Sequence, residues 1–245
     1  MFRCLAEMAG ISFCYALEFE DTVKRLKGFV KPDAEVRADA VCISVGESEY
    51  EDWRSIGNTT RNDFSEFSLL SCRTSEYLMD YQRLVFHAVA IRWEDRAWLI
   101  TAPPGIGKTT QYKNLKQLYP DEVSIINGDK PIVEICSDGS AFVHPSPWTG
   151  KEGWHDAEGA SLGGIIFLRH GENTIEPVEP KTVASRTFFS IFQSLDTGEG
   201  IKKTAKLAQQ LLKSAPLWQL TNRGDLASST LIYDVMKKTV ESHAI

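Results

Sequence analysis

Ala102-Pro103-Pro104-Gly105-Ile106-Gly107-Lys108-Thr109-Thr110 is the stretch on which the fold turns. An apolar run, Ala97 to Thr101, leads into it, and beyond it Tyr112, Leu115, Leu118 and Tyr119 recur at helical intervals before Pro120. Strand, glycine-rich turn and helix are therefore expected in direct succession. Residues Ala102 to Thr109 fit the phosphate-loop pattern, with Ala where the first Gly is usual. Gly105 and Gly107 allow a loop wrapped round a phosphate to turn its amide N–H groups inward, in dihedrals that side chains disfavour. Ile106 and Thr110 belong to the same binding run, Lys108 reaches the β- and γ-phosphates as a point charge, and Thr109 offers a hydroxyl to Mg2+. The helix that starts near Lys108 aims its positive end at the same anion. The pattern predicts nucleotide binding; the plainer alternative is a Gly/Pro turn joining a strand to a helix.

Working outward, a β-hairpin precedes the loop: Leu84 to Trp93 and Ala97 to Thr101 flank the charged turn Glu94-Asp95-Arg96. After one helix come short strand candidates at Val123 to Asn127, Ile132 to Cys136, Ala141 to His144 and Gly164 to Leu168. Common nucleotide-binding folds alternate helix and strand after the loop, so this order predicts an α/β (α+β) domain with a mixed, largely antiparallel sheet. Helices are expected over Val183 to Gln193, Ile201 to Lys213 and Asp225 to Lys238, with a strand at Trp218 to Leu220 between the last two. Ile201, Ala205, Ala208, Leu211 and Leu212 make one apolar face, which leaves Lys202, Lys203, Lys206 and Gln210 to solvent. The boundary is placed at Leu84. Residues 1–83 form a small N-terminal α+β portion of open role, with strands at Ile11 to Phe19 and Ala40 to Val45 and a helix at Ser65 to Tyr81; residues 84–245 form the nucleotide-binding domain.

Composition narrows the function classes. With 42% hydrophobic and 24% charged residues the chain is globular in type, and a net charge of -6 argues against a general nucleic-acid binder, which neutralises many phosphates with Lys and Arg. No run approaches the roughly 18 apolar residues of a membrane span, and Ile11 to Leu17, closed by Glu18 and Glu20, makes a poor secretory signal. A cytoplasmic protein without membrane or nucleic-acid partners is expected. Five cysteines, odd in number and without a C-x-x-C pair, read as buried reduced thiols, and Asn58-Thr59-Thr60 as an idle glycosylation match.

Three segments together resemble the HPr kinase/phosphorylase and phosphoenolpyruvate carboxykinase superfamily: Phe86-His87-Ala88-Val89-Ala90, the loop from Pro104 to Thr110, and Ile126-Asn127-Gly128-Asp129-Lys130. Ser146-Pro147-Trp148-Thr149-Gly150-Lys151-Glu152, Leu162 to Leu168 and Leu217 to Asp225 are similar to small HPr-kinase-like proteins linked to peptide modification. The resemblance covers Leu84 to the C-terminus. It implies a PEP-carboxykinase-like P-loop fold and an ATP-dependent kinase using Mg2+, with a serine on a small protein or precursor peptide as acceptor and a homo-oligomeric assembly. A small-metabolite kinase, acting for example on free serine, and a catalytically silent nucleotide-dependent module are the alternatives.

Within that frame Asp129 holds Mg2+ or takes a proton from the attacking hydroxyl, although after Gly128 it also suits a plain turn. The resembled kinases carry two consecutive aspartates here, and this chain has Asp129-Lys130. His87, expected in mid-strand, is either a core histidine or a group beside the metal and phosphates. Lys151 is either a second cation for the transferring phosphoryl group or an exposed loop lysine. Trp148 and Trp154 stack on a ligand or pack as local core. Arg169 and Arg186 are further phosphate candidates without a motif, and the remaining histidines have no metal-binding spacing.

Overall fold

The computed structural model describes residues 2–32, 39–55, 62–192 and 198–243. Asn58-Thr59-Thr60 and Gln193 lie outside the described residues. Two compact units divide the chain, Met1–Tyr81 and Gln82–Ile245, and each is mixed α/β.

In the smaller unit, β1 (Phe2–Met8) and β2 (Ile11–Leu17) form a hairpin whose turn residues, Ala9 and Gly10, have φ of 49° and 76°. Positive φ at both positions is the turn that matches strand twist. After α1 (Glu20–Arg25) come β3 (Val30–Pro32), β4 (Val41–Ser44), α2 (Glu47–Ser55) and α3 (Asn62–Asp80). The sheet order is β3-β1-β2-β4, with β4 parallel to β2. Phe13, Tyr15 and Leu17 bury one face, and the Tyr15 hydroxyl lies 2.8 Å from Thr74 Oγ1 of α3. Strand β1 was not anticipated from sequence, because Phe2 to Met8 lacks clean alternation.

The larger unit runs β5 (Arg83–Val85), β6 (Ala88–Trp93), β7 (Arg96–Thr101), α4 (Lys108–Leu118), β8 (Ser124–Asn127), β9 (Ile132–Ile135), β10 (Ala141–His144), β11 (Ala160–His170), β12 (Thr174–Pro177), α5 (Pro180–Ser190), α6 (Gly198–Lys213), β13 (Leu217–Asn222) and α7 (Leu226–His243). Its nine-stranded sheet has the order β5-β9-β10-β11-β7-β6-β8, with β13 on β11 and β12 on β13. Only β7, β11 and β13 are mutually parallel, so the sheet is mixed and largely antiparallel.

Strand β11 can serve three neighbours because it is long: Ser161 and Ala160 pair with β10, and Ile165 to His170 pair with β13. Its other edge carries β7, where Gly164 lies under Trp98; a Cβ there would sit 2.3 Å from the indole ring. Ile100, Ile166 and Leu220 face Tyr112 and Leu115 of α4 and Ile232 and Met236 of α7 in one core. Their strand neighbours Phe167 and Gln219 face the opposite side, where Arg186 of α5 lies over the Phe167 ring and donates to Gln219 Oε1 at 2.6 Å.

Two expectations need correction. The run from Leu84 to Trp93 is not one strand: β5 pairs with β9 while β6 pairs with β7 and β8, and the chain breaks at His87 as it changes partners. The cysteines are not uniformly buried, since Cys42 is exposed and Cys72 and Cys136 are half-buried. No helix among the described residues is long and apolar enough to cross a membrane.

Candidate active site

The end of β7 and the start of α4 hold the phosphate-loop residues in a tight turn. Gly105 and Gly107 have φ of +83° and +106°, a region that side chains rarely adopt, and no atom lies within 4 Å of where a Gly105 Cβ would point. Gly107 is the N-cap of α4, which has no side-chain cap and no acidic residue in its first turn. That helix end therefore keeps its positive field directed into the loop. Lys108 is 9% exposed, and its ammonium donates to the Ala102 carbonyl at 2.9 Å, across the loop. Burial pushes this lysine below its ordinary pKa, and the charge of Asp129 opposes the shift. Glycines in positive φ, an uncapped helix end and a buried ammonium suit a polyphosphate. Thr109 and Thr110 occupy the first turn of α4.

Asp129 stands in the same site, just past the end of β8. Asn127 builds its turn: Asn127 Oδ1 accepts from the amides of Asp129 (3.0 Å) and Lys130 (2.8 Å), while Asn127 Nδ2 donates to Ser146 O at 2.9 Å. Ser146 Oγ donates to Lys130 O at 2.5 Å, and Gly150 comes so close that its Cβ would lie 3.1 Å from Asp129 Cβ. The 146–154 segment thus walls the carboxylate on one side. His87 flanks it on another, with Nε2 3.3 Å from Asp129 Oδ1. Lys130 Nζ lies 3.9 Å from Asp129 Oδ2 and 4.2 Å from the centre of the Phe192 ring. Burial would raise the Asp129 pKa, but the His87 hydrogen bond, followed by the charges of Lys130, His87 and Lys108, holds it below the ordinary carboxylate value.

The break in the strand at His87 is what aims its ring. His87 N donates to Ser190 O at 2.7 Å, His87 O accepts from Thr101 Oγ1 at 2.9 Å, and Ala88 N donates to Asp129 O at 2.9 Å. Four segments distant in sequence, the β5–β6 break, the end of β7, the residue just past β8 and the end of α5, are thereby tied together.

Other candidates fall elsewhere. Lys151 is exposed in the turn after Gly150. Trp148 is 2% exposed and packs inward; Trp154 makes an edge contact with Tyr112, and Lys113 of α4 bridges to Glu152 at 3.3 Å. His144 is bonded to Glu134 at 2.9 Å and serves the β9–β10 pair. Arg169 follows the residues of β11 that pair beside Thr101, and it donates to Thr221 Oγ1 at 2.7 Å. Among the described residues no three His, Cys, Asp or Glu side chains converge as a metal site. Mg2+ usually keeps waters and takes one or two carboxylates plus phosphate oxygens, so it needs no such cage.

Sequence reasoning missed Asn127 and Ser146 as the builders of the Asp129 turn, and Ser190 as the anchor of His87. Asn127-Gly128 does signal a turn, but the bond from Asn127 to Ser146 spans 19 residues and has no local signal.

No family model matches the chain, and neither does any curated protein. Among solved structures, the HPr(Ser) kinase/phosphatase from Coxiella burnetii is similar over 65% of this chain and 94% of that one, at 10% identity and a TM-score of 0.39. At that distance residue roles do not transfer, and the chemistry of the site rests on its own geometry.

Proposed function

We propose that the larger unit is a P-loop kinase of PEP-carboxykinase-like fold, acting in the cytoplasm to move the γ-phosphoryl group of ATP onto a serine hydroxyl of a small protein or precursor peptide. One observation carries the reading: backbone bonds around His87 draw the end of β7, which leads into the loop with its buried Lys108, together with Asp129, whose Oδ1 lies 3.3 Å from His87 Nε2. In this reading the amides of Gly105 to Thr109 and Lys108 hold the triphosphate, and Thr109 and Asp129 hold Mg2+, which supplies charge neutralisation to the phosphoryl oxygens when bound. Asp129 accepts the proton of the serine hydroxyl as its oxygen bonds to the γ-phosphorus and the bond to the ADP oxygen breaks. His87 keeps that carboxylate oriented, and the Asp129 carboxyl, held below the ordinary carboxylate value, stays ionised at neutral pH.

Labelled ATP offered with serine-bearing peptides, and with free serine as competitor, tests this. The expected result is label on peptide serine; label on free serine alone favours a metabolite kinase. One feature favours a silent binding module instead, namely Lys130 beside Asp129, where its charge weakens the carboxylate as a base. That reading predicts normal Mg·ATP binding without transfer, and a gain of transfer in Lys130→Asp.

A further inference from the structure

Two cysteines of the smaller unit face each other. Cys14 of β2 and Cys42 of β4 are direct partners in the parallel register of these strands. Neighbouring strands lie about 4.8 Å apart, which falls inside the roughly 4.4–6.8 Å window of Cα separations that a disulfide spans. Residues paired across a ladder present their side chains to one face of the sheet, and both cysteines line one open cavity of about 280 Å³ with Arg3, Ala16, Ile43 and Ser44. Cys4, one position out of phase on β1, turns instead to the buried face with Tyr15, its register partner.

We propose that Cys14 and Cys42 are a redox-active dithiol that hydroperoxides convert into a cross-strand disulfide. The two thiols differ in access, and that difference sets the order of events. Cys42 is exposed and meets the oxidant first; Cys14 is 7% exposed. Burial, then the neighbouring Cys42 sulfur, raises the Cys14 pKa, while Arg3 opposes the shift, so Cys14 waits as a protonated thiol. The Cys42 sulfur attacks one peroxide oxygen, the O–O bond breaks, and Cys42 becomes a sulfenic acid with release of water or an alcohol. The Cys14 sulfur then attacks the Cys42 sulfur and displaces the hydroxyl, which leaves as a second water with the Cys14 proton. Both sulfurs are oxidised, one peroxide is reduced, and the thiols are restored by a dithiol reductant. The bond ties β4, an edge strand of this sheet, to its neighbour.

The test treats the full chain with excess hydrogen peroxide and maps its peptides without reduction. The expected result is loss of two of the five thiols, one linked peptide pair joining Cys14 to Cys42, and full reversal by dithiothreitol. In Cys14→Ala the expected product is a sulfenic acid at Cys42, trapped by dimedone, in place of the disulfide. The proposal is overturned if Cys42 advances to sulfinic acid while Cys14 stays a thiol, if links scatter to Cys72 and Cys136, or if chain unfolded in urea yields the same Cys14–Cys42 link at the same rate.

Discussion

Asp129 is surrounded by two ammonium groups and an imidazole, and its behaviour with pH follows from them. Its pKa in the folded protein lies below the ordinary carboxylate value, so its contribution to stability is complete above about pH 3.9 and is lost as pH falls through the lower folded value. Asp129→Asn removes that dependence. A flatter acid limb in the stability–pH curve of the variant, measured by chemical unfolding, is the expected outcome; superimposable limbs would contradict it. The same substitution leaves Lys130 and His87 facing no charge, a loss of about 1–3 kcal/mol at neutral pH, and under the kinase reading it slows turnover about 10²–10⁴-fold. The place of Asp129 just past a short apolar strand was legible in the sequence. What Lys130 does was not, because its packing on Phe192 joins residues 62 positions apart (192 − 130).

At the scale of elements, the 146–154 segment is held against β8 by close backbone approach at Gly128, whose Cβ would lie 2.7 Å from Thr149 O and 3.3 Å from Trp154 O. These are carbonyl oxygens and not flexible side chains, so Gly128→Ala must push the segment off the carboxylate. We expect a loss of about 1–3 kcal/mol in stability and a fall in turnover with Mg·ATP affinity retained, checked by thermal unfolding and by separate binding and rate measurements. The hairpin of β6 and β7 was legible from two apolar runs round Glu94-Asp95, and the structure gives these turn residues φ of 45° and 57°. The break at His87 was hidden, because every residue from Leu84 to Phe86 and from Ala88 to Ile91 is apolar and only the exchange of β9 for β7 and β8 splits them. Strand β11 read as five residues and extends over Ala160–His170, since the glycines under Trp98 resemble a loop until their partner is known.

Across the whole molecule, the mixed sheet places the phosphate loop at the C-terminal end of β7, beside the parallel strand β11, which is where open α/β sheets bind ligands. The order of elements sufficed to predict a mixed, largely antiparallel sheet, whereas the branching of β11 between β10 and β13 depends on strand length and pairing that no local pattern records. A net charge of -6 disfavours anions in general, so affinity for a polyphosphate must come from the local field of Lys108 and the start of α4. Calorimetric titration of Mg·ATP into the intact protein and into Lys108→Ala tests that claim most directly. The account predicts saturable binding at one site, weakened about 10- to 100-fold by loss of a charge-assisted contact worth about 1.5–3 kcal/mol. Equal affinity in the two proteins, or no binding to the intact one, would contradict it.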